Sequence, residues 1–227
     1  MKKITSYFTK AELILWFSSV VMILLSFLIS QDSGIIGLVA SLIGVTALIL
    51  CAKGNPVGQV FMIVFCCMYT YISYTFSYYG EMITYACMSL PMAVFSLASW
   101  LKHPFKGNKS EVRVNRLKGK EYIFMVAANI AVTVAFYFIL DAFDTANLLV
   151  STFSVTTSFG AAYLTFRRSP YYALWYAAND IVLIVLWTLA AMKDISYVSV
   201  IICFVAFLAN DVYGFISWRK MEKRQSA

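Results

Sequence analysis

The chain has 227 residues, of which 61% are hydrophobic and only 13% charged, and its mean hydropathy is +0.77. Soluble domains are roughly half apolar and about a quarter charged, so this composition excludes a water-soluble globular protein and places the chain in lipid. A formal net charge of +7 raises nucleic acid as a partner, which depends on where the positive charges sit.

A helix needs roughly 20 residues to cross about 30 Å of hydrocarbon. Eight apolar stretches of that kind follow one another, at 11–30, 34–52, 56–78, 82–101, 122–140, 146–166, 171–192 and 197–218. The expected fold class is an all-α membrane protein of about eight transmembrane helices, a single transporter-like domain over 1–227 with no room for a separate soluble domain. Lys2, Lys3 and Lys10 precede the first stretch, so a cleavable signal peptide is the alternative there. Against it stand an apolar run longer than a signal core and the odd number of spans that cleavage would leave.

The positive charges support the same count. Lys2, Lys3 and Lys10 lie in the first tail, Lys53 between segments 2 and 3, Lys102 to Lys120 between 4 and 5, Arg167 and Arg168 between 6 and 7, and Arg219 to Arg224 after segment 8. All but Lys193 thus fall on one side of a serpentine. Asp32, Glu81, Asp141, Asp144 and Asp194 fall on the other. By the positive-inside rule the basic side is cytoplasmic and holds both termini. Topology and anionic lipid headgroups then account for the basic loops, and no nucleic-acid partner is expected. Cys51, Cys66, Cys67, Cys87 and Cys203 lack metal-type spacing and read as free thiols in apolar spans.

Two three-helix units resemble each other. The first contains Leu38-Val39-Ala40-Ser41, a turn ending at Pro56, and Ser99-Trp100-Leu101-Lys102; the second contains Leu149-Val150-Ser151-Thr152, a turn ending at Pro170, and Ser217-Trp218-Arg219-Lys220. Three crossings reverse the chain, so a second copy in the same orientation needs one crossing between them. The expectation is a 3+1+3 parallel repeat: 33–102, a linking helix at 121–141, and 146–220, with one extra N-terminal helix. Such repeats house a central site exposed alternately to either side. Trp100 and Trp218, each close before a Lys at a span end, read as interfacial anchors.

Ionisable groups inside a span are costly and mark functional candidates. Asp180 and Asp211 are the two, each preceded by an asparagine, Asn179 and Asn210. Trp175 and Asn179 are four residues apart and share a helix face; Asn210, Tyr213, Gly214 and Ser217 form a comparable face, and Cys66, Tyr69, Ser73 and Phe76 another. Tyr78-Tyr79-Gly80-Glu81 occupies the outer turn before segment 4. Aromatic faces with a few amides and hydroxyls suit flat heterocyclic solutes. The asparagines also fit interhelical hydrogen bonding and the aspartates structural donors, so both roles stay open. His103 is the single histidine and lacks a nucleophile or ligand set. No enzyme activity, cofactor or metal site is expected; an intramembrane hydrolase using the two aspartates, or a receptor or scaffold, is the competing class.

Lys53-Gly54, Tyr79-Gly80-Glu81-Met82 with Pro91 and Trp100, Trp175 with Asn179 and Trp187, and Asn210 with Tyr213-Gly214 and Trp218 together resemble the PnuC family of vitamin carriers over most of the chain. The resemblance implies a SWEET-like 3+1+3 fold in a bacterial cytoplasmic (inner) membrane and a homotrimer with one pathway per protomer. It further implies facilitated diffusion of nicotinamide riboside, made productive by cytoplasmic phosphorylation. The expected substrate contacts are Trp175, Asn179, Asn210, Tyr213, Tyr69 and Asp180. Three departures bear on the substrate: Cys66 stands where an Asn is expected, Ala93 where a Gln is, and Tyr172 where a Trp often precedes Trp175 by three. Loss of two amides leaves thiamine, riboflavin or a nucleoside open as the solute.

Overall fold

The structure is a computed structural model describing residues 7–29, 35–75, 79–193 and 195–227. Among them are eight helices long and apolar enough to span a membrane: α1 Lys10–Ile29, α2 Ile35–Ala52, α3 Val57–Thr75, α4 Tyr79–Lys102, α5 Gly119–Ala142, α6 Leu148–Phe166, α7 Tyr172–Ala191 and α8 Val198–Ser226. Lipid offers backbone groups no hydrogen-bond partner, so an apolar run of this length satisfies itself as helix. The spans match the expected ones within a few residues, except that α8 runs beyond Trp218 into the basic tail. Lys2, Lys3, Asp32, Phe76, Tyr78 and Asp194 lie outside the described residues.

Six helices close a ring in the order α2, α3, α4, α6, α7, α8 and back to α2; α1 lies outside against α2 and α8, and α5 outside against α6. Two turns at the basic face share one backbone design. Gly54 (φ +67) follows α2 and Arg168 (φ 57) follows α6. Asn55 N donates to Leu50 O (3.1 Å) and Gly54 N to Cys51 O (2.8 Å), as Ser169 N does to Leu164 O (2.9 Å) and Arg168 N to Thr165 O (3.0 Å). A left-handed conformation costs a non-glycine residue about 1 kcal/mol. At Arg168 it is offset by guanidinium bonds to Ser99 Oγ (2.6 Å) and Arg113 O (3.2 Å). Burial, then the charges of Arg167 and Arg113, lowers the Arg168 pKa from its ordinary value.

The same face corrects the reading of two tryptophans. Trp100 and Trp218 are 0% exposed, not anchors in the headgroup layer. Trp100 Nε1 donates to Thr165 O at 2.9 Å, joining α4 to α6, and Trp218 Nε1 donates to Cys51 O at 2.8 Å, joining α8 to α2. Their rings lie 5.3 Å apart, so the pair closes the ring from inside. A span-end Trp beside a Lys has the same local sequence whether it turns to lipid or to a neighbouring helix.

Helix α4 carries a π-turn at Thr84–Ser89. Pro91 has no N–H and its ring crowds the carbonyl of residue 87, and a wider turn relieves both. The linker between α4 and α5 adds a feature outside the all-α expectation, a hairpin of β1 Pro104–Phe105 and β2 Asn108–Val112. Lys106 and Gly107 both take positive φ (48° and 79°), as a two-residue hairpin turn of matching twist requires. Val112 N then donates to Gly54 O (2.9 Å) and Asn115 N to Arg168 O (3.0 Å), so the linker bridges the two turns. The α8 extension holds it down: Arg116 pairs with Glu222 (2.8 Å), Gln225 Oε1 accepts from Val114 N (2.8 Å), and Arg224 pairs with Glu111.

Candidate functional site

The helix ring encloses a cavity of about 590 Å³, within the size range of small-molecule sites. It extends from Glu81, Asp144 and Lys193 at the acidic end to Gln59, Thr165 and Tyr172 at the basic end. There it stops near the tryptophan pair, since the Tyr172 ring is 5.0 Å from that of Trp218. All six ring helices line it and α1 does not.

One wall is aromatic. Phe65 and Tyr69 of α3 have ring centroids 5.3 Å apart, and Tyr69 and Tyr85 of α4 are 4.6 Å apart. Tyr85 and Ser89 of the π-turn lie on the lining together with Ala93 and Ser96. Nearer the acidic end, Trp187 and Tyr197 pack at 5.3 Å. Aromatic faces of this kind hold a flat ring by stacking.

Across from this wall, α6 and α7 supply polar groups. Asn179 Oδ1 accepts from Ser154 Oγ (3.1 Å) and Thr157 Oγ1 (2.8 Å), which fixes the amide against α6 and leaves its NH2 as the donor for a solute. Asp180 and Asp211 both line the cavity, with carboxyl groups in hydrogen-bond reach of each other. Asp180 Oδ2 is buried without a partner. Neither aspartate belongs to an ion pair among the described residues.

Of the residues expected to contact solute, Tyr69, Asn179 and Asp180 lie on the cavity. Trp175 shares a helix face with Asn179, as its spacing requires, but packs on Gly160 of α6, where an added Cβ would sit 2.4 Å from its ring. Asn210 Nδ2 donates to Ser19 Oγ of α1 (2.9 Å) and to Ala206 O (2.8 Å). Tyr213 Oη donates to Glu12 Oε1 of α1 (3.1 Å), and Glu12 is paired with Lys53 at 3.0 Å. These two α8 residues therefore face α1, while Phe204, Phe207 and Asp211 carry the cavity face of that helix. Glu12 was not singled out in the sequence, although Thr9 and Glu12 form a capping box, Thr9 N to Glu12 Oε2 at 2.7 Å and Glu12 N to Thr9 Oγ1 at 3.2 Å. Tyr85 and the serines of α6 are further lining residues that the sequence reading passed over. The signal was there for α6, where Ser151, Ser154 and Ser158 recur at helical spacing.

The family profile described as Nicotinamide mononucleotide transporter matches residues 34–220. The Nicotinamide riboside transporter PnuC of Neisseria mucosa is 30% identical over 205 residues, covering 88% of this chain and 77% of its own. That of Haemophilus influenzae is 22% identical over 191 residues, covering 83% and 81%. A solved structure, the crystal structure of the Vitamin B3 transporter PnuC, superposes with a TM-score of 0.81 at 26% identity, over 96% of this chain and 94% of that one. With a profile match spanning six of its ring helices and one flanking helix, this chain belongs to the nicotinamide mononucleotide transporter (PnuC) family of multi-pass membrane transporters.

Proposed function

We propose that this chain carries nicotinamide riboside across a bacterial cytoplasmic membrane by facilitated diffusion. The observation that carries the reading is the cavity at the centre of the ring, with an aromatic wall facing the Asn179 amide and the Asp180 carboxyl. Tyr69, Asn179 and Asp180 are the direct contacts; Trp175, Asn210 and Tyr213 act behind them, seating α7 on α6 and α8 on α1. The basic face is cytoplasmic, with both termini on that side. The two units, α2 to α4 and α6 to α8, are parallel repeats in a SWEET-like 3+1+3 arrangement. Reciprocal contacts of α4 with α6 and of α8 with α2 support it, and rocking of one unit on the other exposes the cavity to each side in turn. Phosphorylation in the cytoplasm traps the solute, since a phosphate adds about two negative charges and the cavity offers it carboxylates. Homotrimers place one such pathway in each protomer.

Cys66 and Ala93 line the cavity where amides are expected, and this favours thiamine, riboflavin or a nucleoside as the second reading. The test is uptake of labelled solute into proteoliposomes without a kinase, at zero membrane potential. Nicotinamide riboside should equilibrate at the external concentration and go no further, and Asp180→Asn should retain part of the flux. Accumulation above the external level under an imposed pH gradient, lost in Asp180→Asn, would refute facilitated diffusion. Thermal-shift measurements against the four solute classes separate the two readings, because a bound ligand raises stability by mass action.

A further inference from the structure

Among the described residues, the acids of this cavity lack a matching protein cation. Glu81, Asp144, Asp180 and Asp211 line it against one base, Lys193, which sits at the acidic mouth. The titratable groups close enough to act on the inner pair are Cys51 of α2, Tyr85 of α4, Tyr172 and Tyr176 of α7, and Cys203 of α8. None of them is a base, and the lining of α6 offers hydroxyls and apolar groups alone. Asp180 lines the cavity, is 4% exposed, and has an Oδ2 that is buried with no hydrogen-bond partner. An intramembrane carboxyl is a functional candidate by default, and a ligand counter-ion is one of its attested roles.

The charge is also one-sided. Asp180 stands ten residues past Pro170 and Asp211 seven before Trp218; the positions ten past Pro56 and seven before Trp100 are Cys66 and Ala93. Both of these line the cavity as well. At these inner positions the α7–α8 side is therefore acidic and the α3–α4 side is not, although α4 brings Glu81 to the mouth; the α3–α4 side bears Phe65, Tyr69 and Tyr85. A flat cation entering the cavity meets aromatic faces, which attract it through their quadrupoles, and carboxyl groups on the α7–α8 side.

Resting on the carrier reading above, we infer that the Asp180–Asp211 pair is the counter-ion for a positively charged heteroaromatic ring. With one proton shared between its two carboxyl groups the pair presents a single negative charge to the solute. The cavity accordingly selects monocations, a pyridinium or a thiazolium, over neutral rings of the same size. Asn179 reads hydrogen-bonding groups and the aspartates read charge.

Purified protein in detergent micelles, titrated calorimetrically, tests this with ligands that differ in charge and little else. Nicotinamide riboside is a pyridinium; its dihydro form gains a hydride, loses the charge and keeps the amide and ribose. Thiamine and uridine serve as a second cation and a second neutral ligand. At least one cation should bind tenfold or more tighter than the neutral ligands, about the smallest ratio expected for one unscreened charge. Asp180→Asn and Asp211→Asn should each lower the ratio of cation to neutral affinity by about tenfold. The wild-type comparison stands even if a variant fails to give a monodisperse protein. Equal affinity for the charged and neutral ligands, or a preference unchanged by either substitution, overturns the counter-ion role while leaving a carrier. Binding of none of the four overturns the carrier reading and this inference with it.

Discussion

Replacing Trp218 by Phe should weaken the basic end of the ring by a predictable amount. The indole N–H donates to Cys51 O at 2.8 Å, and that carbonyl keeps a second bond from Gly54 N at 2.8 Å. Nothing is left unpaired, so the loss is one net hydrogen bond, about 1 kcal/mol. Phe is also smaller than Trp, and a fully buried site between Trp100 and Tyr172 cannot collapse around the difference; the void adds about 1–2 kcal/mol. At about 2–4 °C per kcal/mol for a chain of this size, the total of about 2–3 kcal/mol corresponds to a fall in Tm of roughly 4–12 °C. Size-exclusion chromatography after heating in detergent measures it without relying on tryptophan fluorescence. Trp100→Phe should cost a similar amount, because Thr165 O likewise keeps a bond from Arg168 N at 3.0 Å. Since the two rings touch, the double variant should depart from additivity by about 0.5 kcal/mol or more. A Trp218→Phe protein with unchanged Tm, or strictly additive losses, would show that the pair does not clamp the ring.

Cysteines placed at Asn108 and Ser226 in a cysteine-free background should label only from the cytoplasmic side and one at Asp144 only from outside; outside labelling at Asn108 would invert the topology. Glu12→Gln removes the charge from a buried pair with Lys53 (3.0 Å) and should cost about 3 kcal/mol. A thermal-stability cycle with Lys53→Met should give a coupling of about 1 kcal/mol or more, and zero coupling would sink the assignment. Gly160→Ala forces a methyl to within 2.4 Å of the Trp175 ring and should destabilise by about 1–3 kcal/mol. Unaltered stability there would mean that α7 is not seated on α6 as described.

Hydropathy and charge sidedness made the eight spans legible, because lipid leaves the backbone one solution and each loop carries the sign of its side. Which face of a helix turns inward was less legible. A soluble helix advertises its buried face by contrast with a polar one. In α8 the lipid-facing, α1-facing and cavity-facing stripes all contain apolar residues, so Asn210 and Tyr213 are expected on the solute ahead of Asp211, although they point to α1 and Asp211 lines the cavity. In α4, Pro91 was visible but the π-turn it accompanies was not; Tyr85, Ser89 and Ser96 recur at helical spacing, but apolar neighbours on every face leave that stripe without contrast. The α7 stripe was read correctly as a face. The partner that face meets, Gly160 beneath Trp175 and hydroxyls beneath Asn179, is a property of α6 that no count along α7 contains.

The linker hairpin sets a length as well as a contact. It reaches the two basic-face turns from positions three residues apart, Val112 on Gly54 O and Asn115 on Arg168 O. Three residues of extended chain span at most about 10 Å. While both bonds hold, the turns can separate by that tether plus the two hydrogen bonds, and no more. A wider aperture at this end must first release one of the bonds, so this short segment of β2 and its sequel limits how far the two turns can part.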